Sequence, residues 1–219
     1  MAPPPPVASN QALPNNSIVV ISPQYCTPYQ VDLYTANRDT GVTEGRHFAV
    51  FDINGNSVFK VTPASPTSSH LLLVDAAGPL LYLKPMFFSL HDRWKVYRGH
   101  NADPKNLLFS TRLDVFLASN TDAYACDFKI KQNLGETSCV INRGNSDSII
   151  AEMHRNKNVQ DKVGGMKQFS VTVYPNVDYI FVIALSVVLN EINVGGGGSS
   201  GGDGGAVGGG GGGGCGGGG

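Results

Sequence analysis

Val177-Asp178-Tyr179-Ile180-Phe181-Val182-Ile183-Ala184-Leu185-Ser186-Val187-Val188-Leu189-Asn190-Glu191-Ile192 is the stretch on which the fold turns. It shows no alternation of polar and apolar residues. Between Tyr179 and Leu189 nothing is charged, and only Ser186 and the Tyr179 hydroxyl are polar. Pro175 stands just before it, where a strand must stop. Asp178 lies where a carboxylate meets the orphan N–H groups of a helix start. Asn193 and Gly195 supply an exit. A helix apolar on every side is a membrane span or a core helix. A span needs about 20 apolar residues, and a run of about 10–14 favours burial. The run here is shorter than a span, so residues 177–192 are expected to form a buried helix. The competing expectations are a membrane span and a further pair of strands, the latter because Val and Ile favour strands.

The residues before it read differently. Phe128 and Ile130 alternate with Asp127, Lys129 and Lys131. Val171 and Val173 alternate with Ser170, Thr172 and Tyr174, and Ile149, Ala151 and Met153 with Ile150, Glu152 and His154. A period of two marks strands with one dry face. Asn54-Gly55, between segments 47–53 and 57–62, predicts a hairpin turn with two positive φ angles. Gly78-Pro79 separates 70–76 from 80–84, and residues 133–136 separate 123–131 from 137–143. Further strands are expected at 17–21, 29–37, 93–98 and 107–115. This makes about a dozen short strands joined as antiparallel meanders, which need a sandwich or a closed barrel to protect their edges. A helix dry on all sides needs a wall on all sides. The expected fold is therefore mainly β, a closed antiparallel barrel around one central hydrophobic C-terminal helix.

Not all of the 219 residues suit a core. Residues 195–219 hold 19 of the 28 glycines and read as a disordered tail or linker. Residues 1–16, with Pro3 to Pro6, read as a disordered N-terminus that could dock a partner as polyproline II. The folded domain is then 17–194. A net charge of −1 gives no general pull toward nucleic acid. The proline-rich start is unlike a secretory peptide, and Cys215 is misplaced for prenylation. Cys26, Cys126, Cys139 and Cys215 suit neither a disulfide framework nor a zinc site. Reduced thiols and an intracellular, cytoplasmic location are expected, peripheral at the plasma membrane or nuclear.

Four strings resemble the plant LURP-one-related family, part of the tubby C-terminal-like group that includes the phospholipid scramblases. They are Ser89-Leu90-His91-Asp92-Arg93-Trp94-Lys95-Val96-Tyr97-Arg98-Gly99, Asp127-Phe128-Lys129-Ile130-Lys131, Ile149-Ile150-Ala151-Glu152-Met153-His154, and Phe169-Ser170-Val171-Thr172-Val173-Tyr174-Pro175-Asn176-Val177-Asp178-Tyr179. The resemblance covers residues 17–194 and implies a twelve-stranded barrel around a central helix. It also implies a link to plant defence. For tubby domains it implies binding of phosphoinositide head groups, and for scramblases a link to lipid and calcium. No lipid-contact residue carries over position by position.

The candidate phosphate contacts are Lys84, Arg93, Lys95, Lys129 and Lys131, because clustered cationic donors neutralise phosphates. A solvated strand face is the plainer account of the same residues. Asp52-Ile53-Asn54-Gly55-Asn56 departs from a calcium loop, in which glycine is sixth and glutamate twelfth, and reads as a turn. The histidines at 47, 70, 91, 100 and 154 are too dispersed to suggest a site, and His91-Asp92 on a strand would face opposite ways. Trp94 reads as core. No catalytic residue, metal or cofactor is expected. The partners expected are anionic phospholipid head groups at a membrane surface, for a non-enzymatic tethering module. The alternative is a soluble protein-interaction scaffold without a lipid role.

Overall fold

The computed structural model describes residues 14–37, 48–86, 93–122, 124–132, 138–156 and 168–195. Twelve strands lie among them: β1 (Val31–Asn37), β2 (Phe48–Asp52), β3 (Ser57–Pro63), β4 (Leu71–Asp75), β5 (Gly78–Met86), β6 (Arg93–Arg98), β7 (Leu107–Thr111), β8 (Asp114–Leu117), β9 (Phe128–Gln132), β10 (Ser138–Arg143), β11 (Ile149–Asn156) and β12 (Gln168–Val173). Each pairs antiparallel with its neighbour in sequence, and β1 pairs with β12 to close the barrel. Closure leaves no edge strand.

The helix α1 (Tyr179–Gly195) fills the lumen. Ile180 through Val188 are buried on every side of it. The wall meets it with the alternate residues of each strand, such as Val50, Leu71, Leu83, Val96, Ile141 and Val171, all without solvent exposure. Phe181 sits between Phe109 and Phe128, with ring centroids 5.2 and 4.9 Å away. Burying a side chain of this size contributes about 1.5–3 kcal/mol. That enclosure overrides the strand preference of the valines and isoleucines. Trp94 is a barrel-core residue as expected.

The helix start departs from the sequence expectation by two residues. Val177 and Asp178 lie before it, in isolated bridges to Ile18 and Cys26. Asn176 adopts φ 63° and turns the chain inward. Asp178 then caps the helix: its Oδ1 accepts the Phe181 N–H at 3.3 Å. Its Oδ2 accepts the N–H groups of Ile21 (2.6 Å), Ser22 (3.0 Å) and Val20 (3.3 Å). The segment 17–21, expected as a strand, is instead a strap fastened across the barrel end. The Arg98 Nη2 donates to the Ile21 carbonyl at 2.6 Å, and Tyr25 packs edge-on against Tyr179.

Other turns also differ. Only Gly55 has positive φ in the β2–β3 hairpin, because the Asp52 carboxylate takes the N–H groups of Asn54 and Asn56 and holds the turn from one side. Gly78 and Pro79 belong to β5, and the turn is Ala76-Ala77, ordered by Asp75. The segment 107–115 breaks at Arg112-Leu113 into β7 and β8. A register shift after Ile141 leaves Ile149 exposed and turns Ile150 inward. Of the expected tails, 1–16 and 195–219, all but residues 14–16 and Gly195 lie outside the described residues, as do His47, His91 and Asp92.

Candidate functional surface on the outer wall

With the lumen filled, chemistry falls to the outer wall, where alternate residues of each strand face solvent. Lys84 on β5 lies directly opposite Lys95 on β6, and Lys95 opposite Ser110 on β7. Like charges placed directly across two strands destabilise a sheet. Neither lysine has an ion-pair partner among the described residues. Arg93 takes the next outward register position along β6, opposite Met86.

Beside this row runs an aromatic one. Tyr82 lies opposite Tyr97, with ring centroids 6.5 Å apart, and His70 packs edge-on against Tyr82 at 5.4 Å. The Tyr82 hydroxyl and His70 Nδ1 are 2.6 Å apart. Burial, and then the charge of Lys84, lowers the His70 imidazole from its ordinary range. Burial, and then Tyr82, raises the Tyr97 phenol.

Lys129 and Lys131 do not join this group. They lie on β9, three strands from β6, or about 14 Å round the wall. Lys129 meets Asp114 at 3.8 Å and Lys131 meets Asp147 at 3.3 Å. The five candidates thus divide. Lys84, Lys95 and the register position of Arg93 share one face of the β5–β6 hairpin, and the β9 lysines stand apart beside carboxylates.

A polar group occupies the opposite side of the barrel, on β11 and β12. Glu152 accepts from the Tyr174 hydroxyl at 2.7 Å and meets His154 Nε2 at 3.2 Å. The Tyr174 bond, then His154, lowers the Glu152 carboxyl. The Ser170 hydroxyl, opposite His154, donates to the His154 backbone carbonyl and not to its ring, so no nucleophile–base pair forms there. Among the described residues no three or more His, Cys, Asp or Glu side chains are grouped to hold a metal ion. No helix among them is long and apolar enough to cross a membrane.

Sequence reasoning missed His70, Tyr82 and Tyr97 as members of the basic group. Alternation and hairpin pairing could have found the tyrosines, because Tyr82 and Lys84 share a face of β5 and Lys95 and Tyr97 a face of β6. His70 required the β4–β5 register.

Comparison with known proteins covers the barrel and most of the helix. The family model described as LURP-one-related matches residues 31–190. Protein LURP-one-related 15 of Arabidopsis thaliana is 41% identical over 197 residues, covering 84% of this chain and 90% of that one. Protein LURP-one-related 10 of the same plant is 41% identical, covering 80% and 97%. Protein LURP1 is 35% identical, covering 81% and 91%. An X-ray structure of an Arabidopsis thaliana protein, 40% identical, superposes with a TM-score of 0.63 and covers 80% of this chain and 98% of that one.

Proposed function

Because the chain belongs to the LURP-one-related family, whose matched members carry no enzyme's name, we propose that it is a non-enzymatic module that docks on anionic phospholipid head groups. Its setting is plant defence or stress signalling. One observation supports this above the rest: Lys84 and Lys95 stand directly opposite each other, and neither is paired with a carboxylate among the described residues. Two ammonium groups side by side are an unfavourable arrangement for a sheet and a favourable one for a phosphate, which accepts from both at once. The filled lumen leaves no interior space for a lipid chain, so docking uses the head group and the outer wall.

Each lysine near an anionic surface contributes about 1 kcal/mol. Co-sedimentation with phosphatidylcholine vesicles, with and without a phosphoinositide, tests the reading. Retention should depend on the phosphoinositide. The double variant Lys84→Gln/Lys95→Gln should lose about 30-fold in affinity. The Lys129→Gln/Lys131→Gln double variant should lose less, because those lysines already face carboxylates. Wild-type protein that ignores phosphoinositide at low salt refutes the lipid role. The soluble scaffold would then be preferred, on the side chains of Tyr124 (99% exposed) and Ile53 (69% exposed) offered at loop tips.

A further inference from the structure

The row that contains Lys84 and Lys95 does not stop at β5. The register that pairs Leu72 with Tyr82 and Leu71 with Leu83 continues one step to set His70 beside Lys84. The Ala64 N–H donates to the His70 carbonyl and keeps that step in line with β3. The charge of Lys84 acts on the imidazole, which agrees with this placement. His70, immediately before β4, and Lys84, Lys95 and Ser110 on β5, β6 and β7 therefore form one outward row, with neighbours about 4.8 Å apart. Tyr82 engages Nδ1 of His70 and fixes the ring, which leaves Nε2 without a partner among the described residues.

We infer that His70 is the titratable third donor of this row, so that docking of a phosphate oxyanion strengthens when the imidazole takes up a proton. The inference rests on the head-group reading above and adds to it a donor and a pH dependence.

Among the described residues, the surroundings of His70 carry no counter-charge. From β5 it faces Tyr82 and Lys84, and beyond Tyr82 stands Tyr97 of β6. Lys95 follows Lys84 in the row. Thr62, Pro63 and Ala64 on the β3 side are uncharged, and Ser68 Oγ accepts the His70 backbone N–H. No carboxylate among the described residues contacts the ring. Without an anion, burial and then Lys84 both oppose the His70 proton. A bound oxyanion reverses that balance. Coupling is reciprocal: an anion that binds better to the protonated row must raise the imidazole pKa by the same factor.

Vesicles of phosphatidylglycerol in phosphatidylcholine test this cleanly, because the phosphodiester keeps its charge over the range in which histidine titrates. Any pH response then belongs to the protein. One added positive charge near an anionic membrane surface changes affinity roughly fivefold. Wild-type retention should rise by that factor between about pH 7.5 and about pH 5.5. The rise should vanish in His70→Gln and persist in His154→Gln, whose histidine lies on the far side of the barrel. A flat wild-type response, or a rise that survives in His70→Gln, overturns the inference and leaves the lipid reading standing. NMR titration of the His70 ring provides the second arm, with inorganic pyrophosphate and with the vesicles. An upward pKa shift with both means that the row takes soluble and lipid phosphate alike, and a shift with vesicles alone assigns it to the membrane. If wild-type protein ignores vesicles at both pH values, the lipid reading fails, and an imidazole unmoved by pyrophosphate then overturns the row itself.

Discussion

Replacing Asp178 with alanine is expected to destabilise the protein by about 4 kcal/mol. The carboxylate is wholly buried and accepts four backbone N–H groups. Two of those bonds, from Ile21 at 2.6 Å and Ser22 at 3.0 Å, are short. A buried donor left unpaired costs about 1–3 kcal/mol, and loss of a helix cap about 1 kcal/mol more. The bonds at 3.3 Å add little, and relief from burying a carboxylate offsets part of the total. Against a domain stability of about 5–15 kcal/mol, such a loss is severe. With a urea dependence of roughly 2 kcal/mol per molar, the unfolding midpoint should fall by about 2 M. Fluorescence of the single tryptophan, Trp94 in the barrel core, reports the transition. Proteolysis of residues 14–30 should accelerate in the same variant, because the strap loses its fastening. Burial raises the Asp178 carboxyl despite the N–H donors that pull it down. A raised carboxyl contributes stability that declines as pH climbs from the unfolded value, roughly 4, through the folded one. The deficit of the variant should therefore shrink as pH rises across that window. An Asp178→Ala protein with an unchanged midpoint and a protected strap would refute the account of the strap as held by this carboxylate.

Two further outcomes follow from the same structure. Ile183→Asp places an unpaired charge at the fully buried centre of α1 and should cost several kcal/mol; a soluble, cooperatively melting variant of wild-type midpoint would contradict the buried helix. Glu152→Gln should flatten the acid limb of the stability profile. The Glu152 carboxyl is held low by Tyr174 and then His154, so its contribution is present above roughly pH 4 and lost as pH falls through the lowered value. Equal steepness in wild type and variant would contradict this.

The features legible in the sequence were those with a repeating period. Alternation exposed the strands, and the loss of alternation over Tyr179–Leu189 exposed the helix that they enclose. Features fixed by single hydrogen bonds were less legible. The sequence marks Asp178 as a local cap, but three of its bonds reach residues more than 150 positions away. The apolar run Ile18–Ile21 resembles a strand, yet it makes only one isolated bridge, because the barrel has already closed without it. At the candidate surface, types and spacing named Lys84 and Lys95 but could not separate them from Lys129 and Lys131. That division depends on the β8–β9 register, which sets Asp114 opposite Lys129, and on the β10–β11 turn, which brings Asp147 to Lys131.

The order of the strands carries a consequence for biosynthesis. Eleven of the twelve ladders join neighbours in sequence, so each hairpin can zip as it leaves the ribosome. The twelfth ladder, between β1 and β12, cannot form until residue 173 has emerged, and the helix follows it. Throughout that interval the nascent sheet presents the apolar residues of its future lumen to water. Among the described elements, the last in sequence is also the one that fills the core. Until α1 arrives, closure of the β1–β12 ladder alone cannot cover the lumen face of the wall.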